Sequence, residues 1–263
     1  LAFAPFHAWP VLWLTLPILV WSIDGVVAGG ERARRGHRGD LVAAITGWWF
    51  GFGYFFAGLF WIGEAFLVEA EVFAWALPFA VTLLPAGLAL FFATATAVAS
   101  RYWSGDFRRV VVLAIALACA EWLRGHVLSG FPWNVLGYAL TSPLPLMQTA
   151  AWVSIYTLTF VVVVVFAGPL ILAANREADG GRWPWAGAAA LAVLPIAFLW
   201  TAGEMRLKQT PPVPIAGVRL RIVQPSIPQR EKWQAQHQRR NFDIHLDLSR
   251  REVPGADGPI THI

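Results

Sequence analysis

Six long apolar stretches limit what this chain can become more than any other feature of its sequence. Each is long enough to cross the hydrocarbon core of a bilayer, which takes about 20 mainly apolar residues. The six stretches are residues 10–28, 41–62, 72–99, 110–128, 147–173 and 183–201. We therefore expect a polytopic bundle of membrane-spanning α-helices.

The character of the chain changes after the sixth stretch. From Gly203 onward Arg, Gln, Lys, Asp and His replace Trp, Phe and Val. We predict a helical bundle over residues 1–202, with about six complete spans and the end of an earlier one. A linker over residues 203–217 then leads to the start of a water-soluble domain over residues 218–263.

The composition supports a membrane protein. Hydrophobic residues make up 57% of the chain and charged residues 14%, and the mean hydropathy is +0.55. These values lie outside the range of soluble globular domains. The net charge of +4 comes with Arg residues that lie in short loops between apolar stretches, where they set topology and meet anionic headgroups. We therefore predict no nucleic-acid partner.

The loops alternate in charge. Several Arg residues lie in each loop that follows the first, third and fifth stretches, namely residues 31–40, 100–109 and 174–182. The other two loops are residues 63–71, which lack Lys and Arg, and residues 124–146, with Arg124 alone. Because basic loops stay in the cytoplasm, this pattern predicts that residues 203–263 lie on the extracytoplasmic side.

The polar end of the chain shows the pattern of a layered α/β domain. Apolar and basic residues alternate over Val218–Val223, which predicts a strand. Residues Gln229–Arg251 follow as a polar helix, although the period-two spacing of Phe242, Ile244, Leu246 and Leu248 would by itself favour a strand. A second strand is expected near Ile263. Strand, helix and strand in succession open an α/β fold.

Both ends of the sequence indicate a piece of a longer protein. Residues Leu1–Phe6 have neither an initiator Met nor a basic region, so they resemble the outer end of an earlier helix. Residues Asp257–Ile263 look like a turn that enters a strand.

Few residues suggest chemistry of their own. Cys119 is the single cysteine and lies in an apolar run, so we expect a small apolar filler and no reactive thiol. The glycines of Gly51-Phe52-Gly53 are expected to allow close helix packing. The histidines show no metal-ligand spacing, so neither a metal nor another cofactor is predicted.

The end of the fourth stretch is the most specific part of the chain. Glu121 and Arg124 are three residues apart and share a helix face. This pair could bind a zwitterionic headgroup or neutralise itself. The aromatic turn Phe131-Pro132-Trp133, followed by Tyr138, would be amphipathic at the membrane boundary. It is either a belt anchor or a shaped surface.

These pieces, in this order, resemble the apolipoprotein N-acyltransferase family of bacterial inner-membrane enzymes. The matching pieces span nearly the whole chain: Leu1–Phe6, Gly51-Phe52-Gly53-Tyr54-Phe55 with Trp61-Ile62, Glu121–Gly125, Gly130-Phe131-Pro132-Trp133 with Gly137-Tyr138, and Val223-Gln224 with Ile227-Pro228-Gln229 and Lys232-Trp233.

The resemblance implies an eight-span bundle in the inner membrane that carries a periplasmic nitrilase-like domain of α-β-β-α layers. It implies a phospholipid acyl donor, a diacylated apolipoprotein acceptor, and a Glu–Lys–Cys triad that forms a thioester. That triad would lie beyond Ile263, so no catalytic residue is assigned here and the chain alone is expected to be inactive.

The resemblance also suggests a substrate entry lined by Trp133 and Trp233. Phe131, Pro132, Tyr138, Glu121 and Arg124 are the further candidates for substrate or lipid contact. Trp133 as a plain interfacial anchor and Trp233 as a plain core residue remain alternatives.

Two departures and two rival functions stay open. Gln224-Pro225-Ser226 stands where the family usually has Gln-Gly-Asn, and Gln234 follows Trp233 in place of Asp. The rivals are a transporter, for which the spans carry little central charge, and a structural anchor for an unrelated extracytoplasmic domain.

Overall fold

The computed structural model describes residues 2–3, 6–32, 37–178, 184–209, 215–232, 234–251 and 260–261. The chain divides into two compact units. The helical unit comprises residues 1–62 and 78–210, and the small unit comprises residues 63–77 and 211–263.

The described residues are mostly helical. In chain order the α-helices are α1 (Leu12–Arg32), α2 (His37–Leu59), α3 (Ala70–Phe73), α4 (Leu77–Arg101), α5 (Arg108–His126), α6 (Leu144–Gln148), α7 (Ala150–Ala178), α8 (Pro184–Gln209), α9 (Gln229–Lys232) and α10 (Gln238–Arg250). Short 3-10 helices lie at Trp9–Val11, Phe60–Leu67, Ala74–Ala76, Leu136–Leu140 and Ala235–His237.

Five helices in the described residues are long and apolar enough to cross a membrane. They are Trp9–Ala28, Gly39–Leu67, Ala70–Arg101, Ala150–Asn175 and Trp185–Gln209, which matches five of the six predicted spans. The remaining stretch, residues 110–128, forms α5, but α5 carries Arg109, Glu121 and Arg124 within its length. The prediction of a helical membrane bundle is confirmed.

Helix α7 lies at the centre of the helical unit. In its membrane-spanning part 61% of the residues are buried, against 17–33% in the other four candidate spans. It packs against α1, α5 and α8. Its buried residues, among them Leu158, Val162 and Phe166, are almost all apolar, which agrees with the unbroken apolar run Phe160–Ala167 in the sequence.

Helices α2 and α4 approach each other at a glycine. A Cβ on Gly51 would lie 2.8 Å from the Cβ of Phe92, so only glycine allows this contact. A Cβ on Gly53 would meet nothing within 4 Å. The predicted packing role therefore applies to Gly51, and Gly53 does not share it.

Cys119, which we expect from the sequence to be a small apolar filler, lies on an apolar surface of α5. Its side chain is exposed and contributes to an apolar groove of about 920 Å³ between α4 and α5. The sequence run around Cys119 is apolar on all sides because α5 faces both the bundle and this groove.

Helix α8 is longer than the sequence suggested. It continues to Gln209, although the linker was expected to begin at residue 203. Residues 203–209 are polar but rich in strong helix formers, and Arg206 and Lys208 in the last turn complement the negative end of the helix dipole. The proline-rich residues 210–214 lie outside the described residues.

The small unit shows the predicted helix in two parts. Gln234 is extended (ψ 127°), so a short α9 is separated from α10. Residues 242–248 lie within α10, so this part of the chain is helical despite the period-two spacing of its apolar residues. Val218–Val223 contains an isolated bridge at Leu220, and Thr261 N donates to Arg219 O at 3.0 Å. Within the described residues these segments form no regular strand.

Candidate functional site

The buried face of α5 ends in two charged residues. Val110, Leu113 and Leu117 begin a stripe with helical spacing that continues to Ala120, Glu121 and Arg124. Glu121 and Arg124 are each 1% exposed. Buried charges are costly unless they are paired and hydrogen-bonded, so the partners of this pair decide what it does.

Arg124 holds the loop that follows α5 by its main chain. Its Nη1 donates to the carbonyl oxygens of Phe131 and Trp133, both at 2.7 Å, and its Nη2 donates to Asn134 O at 3.2 Å. The guanidinium also lies 4.9 Å from the ring centroid of Phe55. A planar fork with several fixed donors suits three neighbouring carbonyls, so one side chain fixes the path of residues 131–134.

Glu121 holds the next part of the same loop. Its Oε1 accepts from the backbone N–H of Leu136 at 2.9 Å, and its Oε2 accepts from the hydroxyl of Thr159 on α7. That hydroxyl accepts in turn from Gly137 N at 3.0 Å. Leu136 and Gly137 begin a 3-10 helix, whose first N–H groups lack partners within the helix. Glu121 and Thr159 supply those partners.

The two charges also compensate each other. Arg124 Nη2 lies 4.0 Å from Glu121 Oε1. Their main bonds, however, go to the loop and to Thr159. Together with Thr159, the pair therefore holds the loop at two places. We call these three residues, Glu121, Arg124 and Thr159, the loop clamp.

The clamped loop presents an aromatic surface. Trp133 is 55% exposed, and its ring meets Phe131 edge to face at 5.2 Å and Trp61 at 6.3 Å. Backbone conformation contributes to the turn, because Gly130 and Asn134 have φ values of 73° and 52°. Such positive values favour glycine and asparagine over other residues.

Two tyrosines tie the same turn to its surroundings. The Tyr54 hydroxyl of α2 donates to Asn134 O at 2.8 Å, and the Tyr138 hydroxyl donates to Pro132 O at 3.1 Å. Burial raises the pKa of Tyr138 above its usual value, so this hydroxyl stays protonated and remains a donor. Every carbonyl from Phe131 to Asn134 is thus bonded to a side chain.

Comparison with known proteins identifies the family. The family model described as the apolipoprotein N-acyltransferase N-terminal domain matches residues 1–168. The chain belongs to this family.

Curated relatives extend the similarity over nearly the whole chain. Apolipoprotein N-acyltransferases from Rhodopseudomonas palustris and Bradyrhizobium diazoefficiens are 47% and 46% identical over 96% and 98% of the chain. The enzyme of the same name from Rhizobium meliloti is 42% identical over 98%. Since the match covers 46–47% of these proteins, the chain spans about half the length of the curated relatives it matches.

Six of the seven predicted site residues of this acyltransferase-family chain lie together. Phe131, Pro132, Trp133 and Tyr138 belong to the clamped loop, and Glu121 and Arg124 lie beneath it. Trp233 lies outside the described residues, so its predicted place at a substrate entry remains a prediction. For Glu121 and Arg124 the geometry favours the second interpretation, a pair satisfied within the protein; contact with substrate or lipid remains a prediction for all seven.

Thr159 and Tyr54 are the site residues that the sequence analysis missed. Thr159 is fully buried in an apolar run, between Leu158 and Phe160. The same run contains Thr157, which is exposed, so the sequence alone does not tell which threonine is buried. A buried hydroxyl such as that of Thr159 needs a partner. Its partners come from α5 and from the loop, and only the fold brings those together.

Proposed function

We propose that this chain is the membrane-embedded part of an apolipoprotein N-acyltransferase, which performs the last step of bacterial lipoprotein maturation. The full-length protein would transfer an acyl chain from a phospholipid, through a thioester, to the α-amino group of an N-terminal diacylglyceryl cysteine. Family membership supports the reaction. The clamped loop with its exposed Trp133 is the observation that supports a role for this chain in it.

The part played by the described residues is positioning. A thiolate that attacks a phospholipid ester needs that ester held at a fixed place at the membrane boundary. Trp133 offers a large amphipathic surface, and the loop clamp holds its backbone through bonds to the carbonyls of residues 131, 133 and 134. A displacement of about 1 Å in a reacting group can cost roughly 100-fold in rate. A rigid loop therefore offsets the free-energy cost of burying the charges of Glu121 and Arg124.

An apolar cavity behind the same loop supports a lipid donor. It has a volume of about 510 Å³, within the range of ~300–1,000 Å³ that small-molecule sites occupy. Ala139, Leu140, Ser142 and Pro143 of the loop line one end. Helices α1, α7 and α8 supply the other walls, with Trp13, Phe166, Ile196 and Trp200. A hydrocarbon chain is the ligand chemistry that suits such walls.

The first experiment removes the two candidate tryptophans in the full-length protein. Trp133→Ala and Trp233→Ala should each impair acyl transfer from phospholipid to a diacylated lipopeptide while the protein stays inserted and abundant. Specific activity and melting temperature are measured in parallel, because a plain anchor would lower protein level or melting temperature along with activity. Wild-type specific activity in both well-folded variants would leave these tryptophans with a structural role only.

We also propose that the protein lies in the bacterial inner membrane with residues 203–263 in the periplasm. The alternation of Arg-rich and Arg-poor loops supports this orientation. Alkaline phosphatase fusions after residues 66, 135 and 215 should be active, and fusions after residues 36 and 105 should be silent. An active fusion after residue 36 would overturn the topology.

The domain organisation is proposed from the change in composition after the sixth stretch: a bundle over residues 1–202, a linker over residues 203–217 and the start of a nitrilase-like domain from residue 218. The first seven residues of this linker continue helix α8. The pairing of Arg219 with Thr261 across an intervening helix supports a strand–helix–strand order. Arg221 adds a bond from its Nη1 to Ser249 O at the end of α10.

A further inference from the structure

The Thr159 hydroxyl bonds to elements outside its own helix, as the Thr96 hydroxyl also does when it donates to Ala43 O of α2. Thr82, Thr94 and Thr201 each donate to the carbonyl four residues earlier in their own helix. Thr159 instead joins Glu121 on α5 to Gly137 in the loop. A hydroxyl has a single hydrogen, so by donating to the Glu121 carboxylate it must accept from the Gly137 N–H.

Two features of the backbone accompany this contact of Thr159. Helix α7 is interrupted at Ser154, which has φ 68° and ψ 162°, and it resumes just before Thr159. Gly137 packs so closely on the resumed turn that a Cβ there would overlap the carbonyl of Ile155. The close approach at Gly137 and the hydroxyl bond are separate observations that locate the loop against the same turn of α7.

We propose that Thr159 is a positioning residue that sets the place of the Trp133 loop relative to α7. Through Gly137 and Glu121 it fixes the start of the 3-10 helix Leu136–Leu140, and that helix begins three residues after Trp133. The catalytic consequence rests on the proposed acyltransferase function. The effect on the loop does not.

Removal of the hydroxyl alone tests the proposal. In the full-length protein, Thr159→Val keeps the shape but leaves Glu121 Oε2 and the Gly137 N–H without their shared partner. Specific activity, KM and kcat are measured with phospholipid and a diacylated lipopeptide, together with melting temperature. We expect kcat/KM to fall by about 10-fold or more, at a folded fraction equal to that of the wild type.

Two kinds of variant control for loss of volume and for substitution itself. Thr159→Ser and Thr159→Ala both lose the methyl group, and only Ser keeps the hydroxyl, so Ser should be the more active of the two. This pair decides the matter if Thr159→Val does not fold. Thr201→Val on α8 removes an exposed hydroxyl that bonds within its own helix and should behave as the wild type.

Amide hydrogen exchange supplies a readout that does not depend on activity. The exchange of residues 134–140 should be about 10-fold faster in Thr159→Val or Thr159→Ala than in the wild type, with Thr159→Ser close to wild type. Equal exchange and equal activity in Ser and Ala would overturn the proposal. A wild-type protein without acyl transfer would refute the proposed function instead, while the exchange data would still test the loop.

Discussion

The two ends of α5 each bury an arginine, and they use it differently. At one end Arg109 lies 3.2 Å from Asp24 Oδ1 of α1 and donates to Asn175 Oδ1 of α7 at 3.0 Å. The Asp24 carboxylate also accepts from the indole N–H of Trp103 at 2.8 Å. At the other end Arg124 donates to three carbonyls of one loop.

The difference lies in what each arginine holds. Arg109 on α5 bonds to side chains of two other helices, α1 and α7, and it also donates to the carbonyls of Gly105 and Asp106 just before α5. Its partner Asp24 keeps 32% of its side chain exposed. Arg124 and Glu121 have side chains that are 0% and 1% exposed, and their bonds go largely to the main chain. The Arg109 end therefore fixes helices relative to one another, where water can still solvate the acid. The Arg124 end fixes the path of a loop through bonds to its carbonyls.

The largest effect is expected at the loop end. Arg124→Met leaves Glu121 buried without its countercharge and the carbonyls of Phe131 and Trp133 without their donor, whereas Asn134 O keeps its bond from Tyr54. Loss of one partner of a buried pair costs about 3–5 kcal/mol, so the melting temperature and the acyl transfer of the full-length protein should both fall sharply.

Arg124→Lys is the matched control for charge. Lysine keeps the positive charge but is a point charge without the planar fork, so it should restore stability only in part. A stable, fully active Arg124→Met protein would remove the contrast between the two ends of α5.

A smaller effect is expected at the other end. Arg109→Met removes the bonds to Asp24 and Asn175 and to the carbonyls of Gly105 and Asp106, but the exposed part of Asp24 can be hydrated. The free energy of unfolding should fall by about 1–3 kcal/mol, measured in detergent by thermal or denaturant unfolding. Acyl transfer per folded molecule should stay near the wild-type value. A selective loss of activity in a stable Arg109→Met protein would show that this end also serves the reaction.

The sequence predicts those parts of the fold that depend on local properties. Span length and apolar composition are local properties, so five of the six stretches correspond to apolar helices, and four of these match within about five residues at both ends. The end of α8 was missed because residues 203–209 are polar and also strong helix formers, and polarity does not end a helix. Gln234, with its extended backbone, separates α9 from α10 without any proline or glycine to mark the break.

The site was predictable in part for a related reason. The spacing of Val110, Leu113 and Leu117 places Glu121 and Arg124 on the same face, so the buried position of the pair follows from helical periodicity. Their partners do not follow from it. Three carbonyls, the Thr159 hydroxyl and the kink at Ser154 are brought to one place by tertiary contacts, and backbone acceptors leave no trace in residue type.

The smallest effect is expected for an ion pair near the Arg109 end of α5 that is not buried. Arg101 at the end of α4 lies 2.9 Å from Asp40 of α2, with side chains 64% and 28% exposed. Exposed ion pairs contribute about 0–1 kcal/mol because water already solvates both charges and salt screens them. Arg101→Gln should therefore change the free energy of unfolding by no more than about this amount, and its effect should vanish at high salt. Unfolding measured at low and high salt checks this, with Arg109→Met as the buried counterpart whose effect should persist. If Arg101→Gln lowers the free energy of unfolding as much as Arg109→Met does, burial does not decide how much an arginine contributes to stability in this bundle. The comparison between the arginines would then rest on their bonding geometry alone.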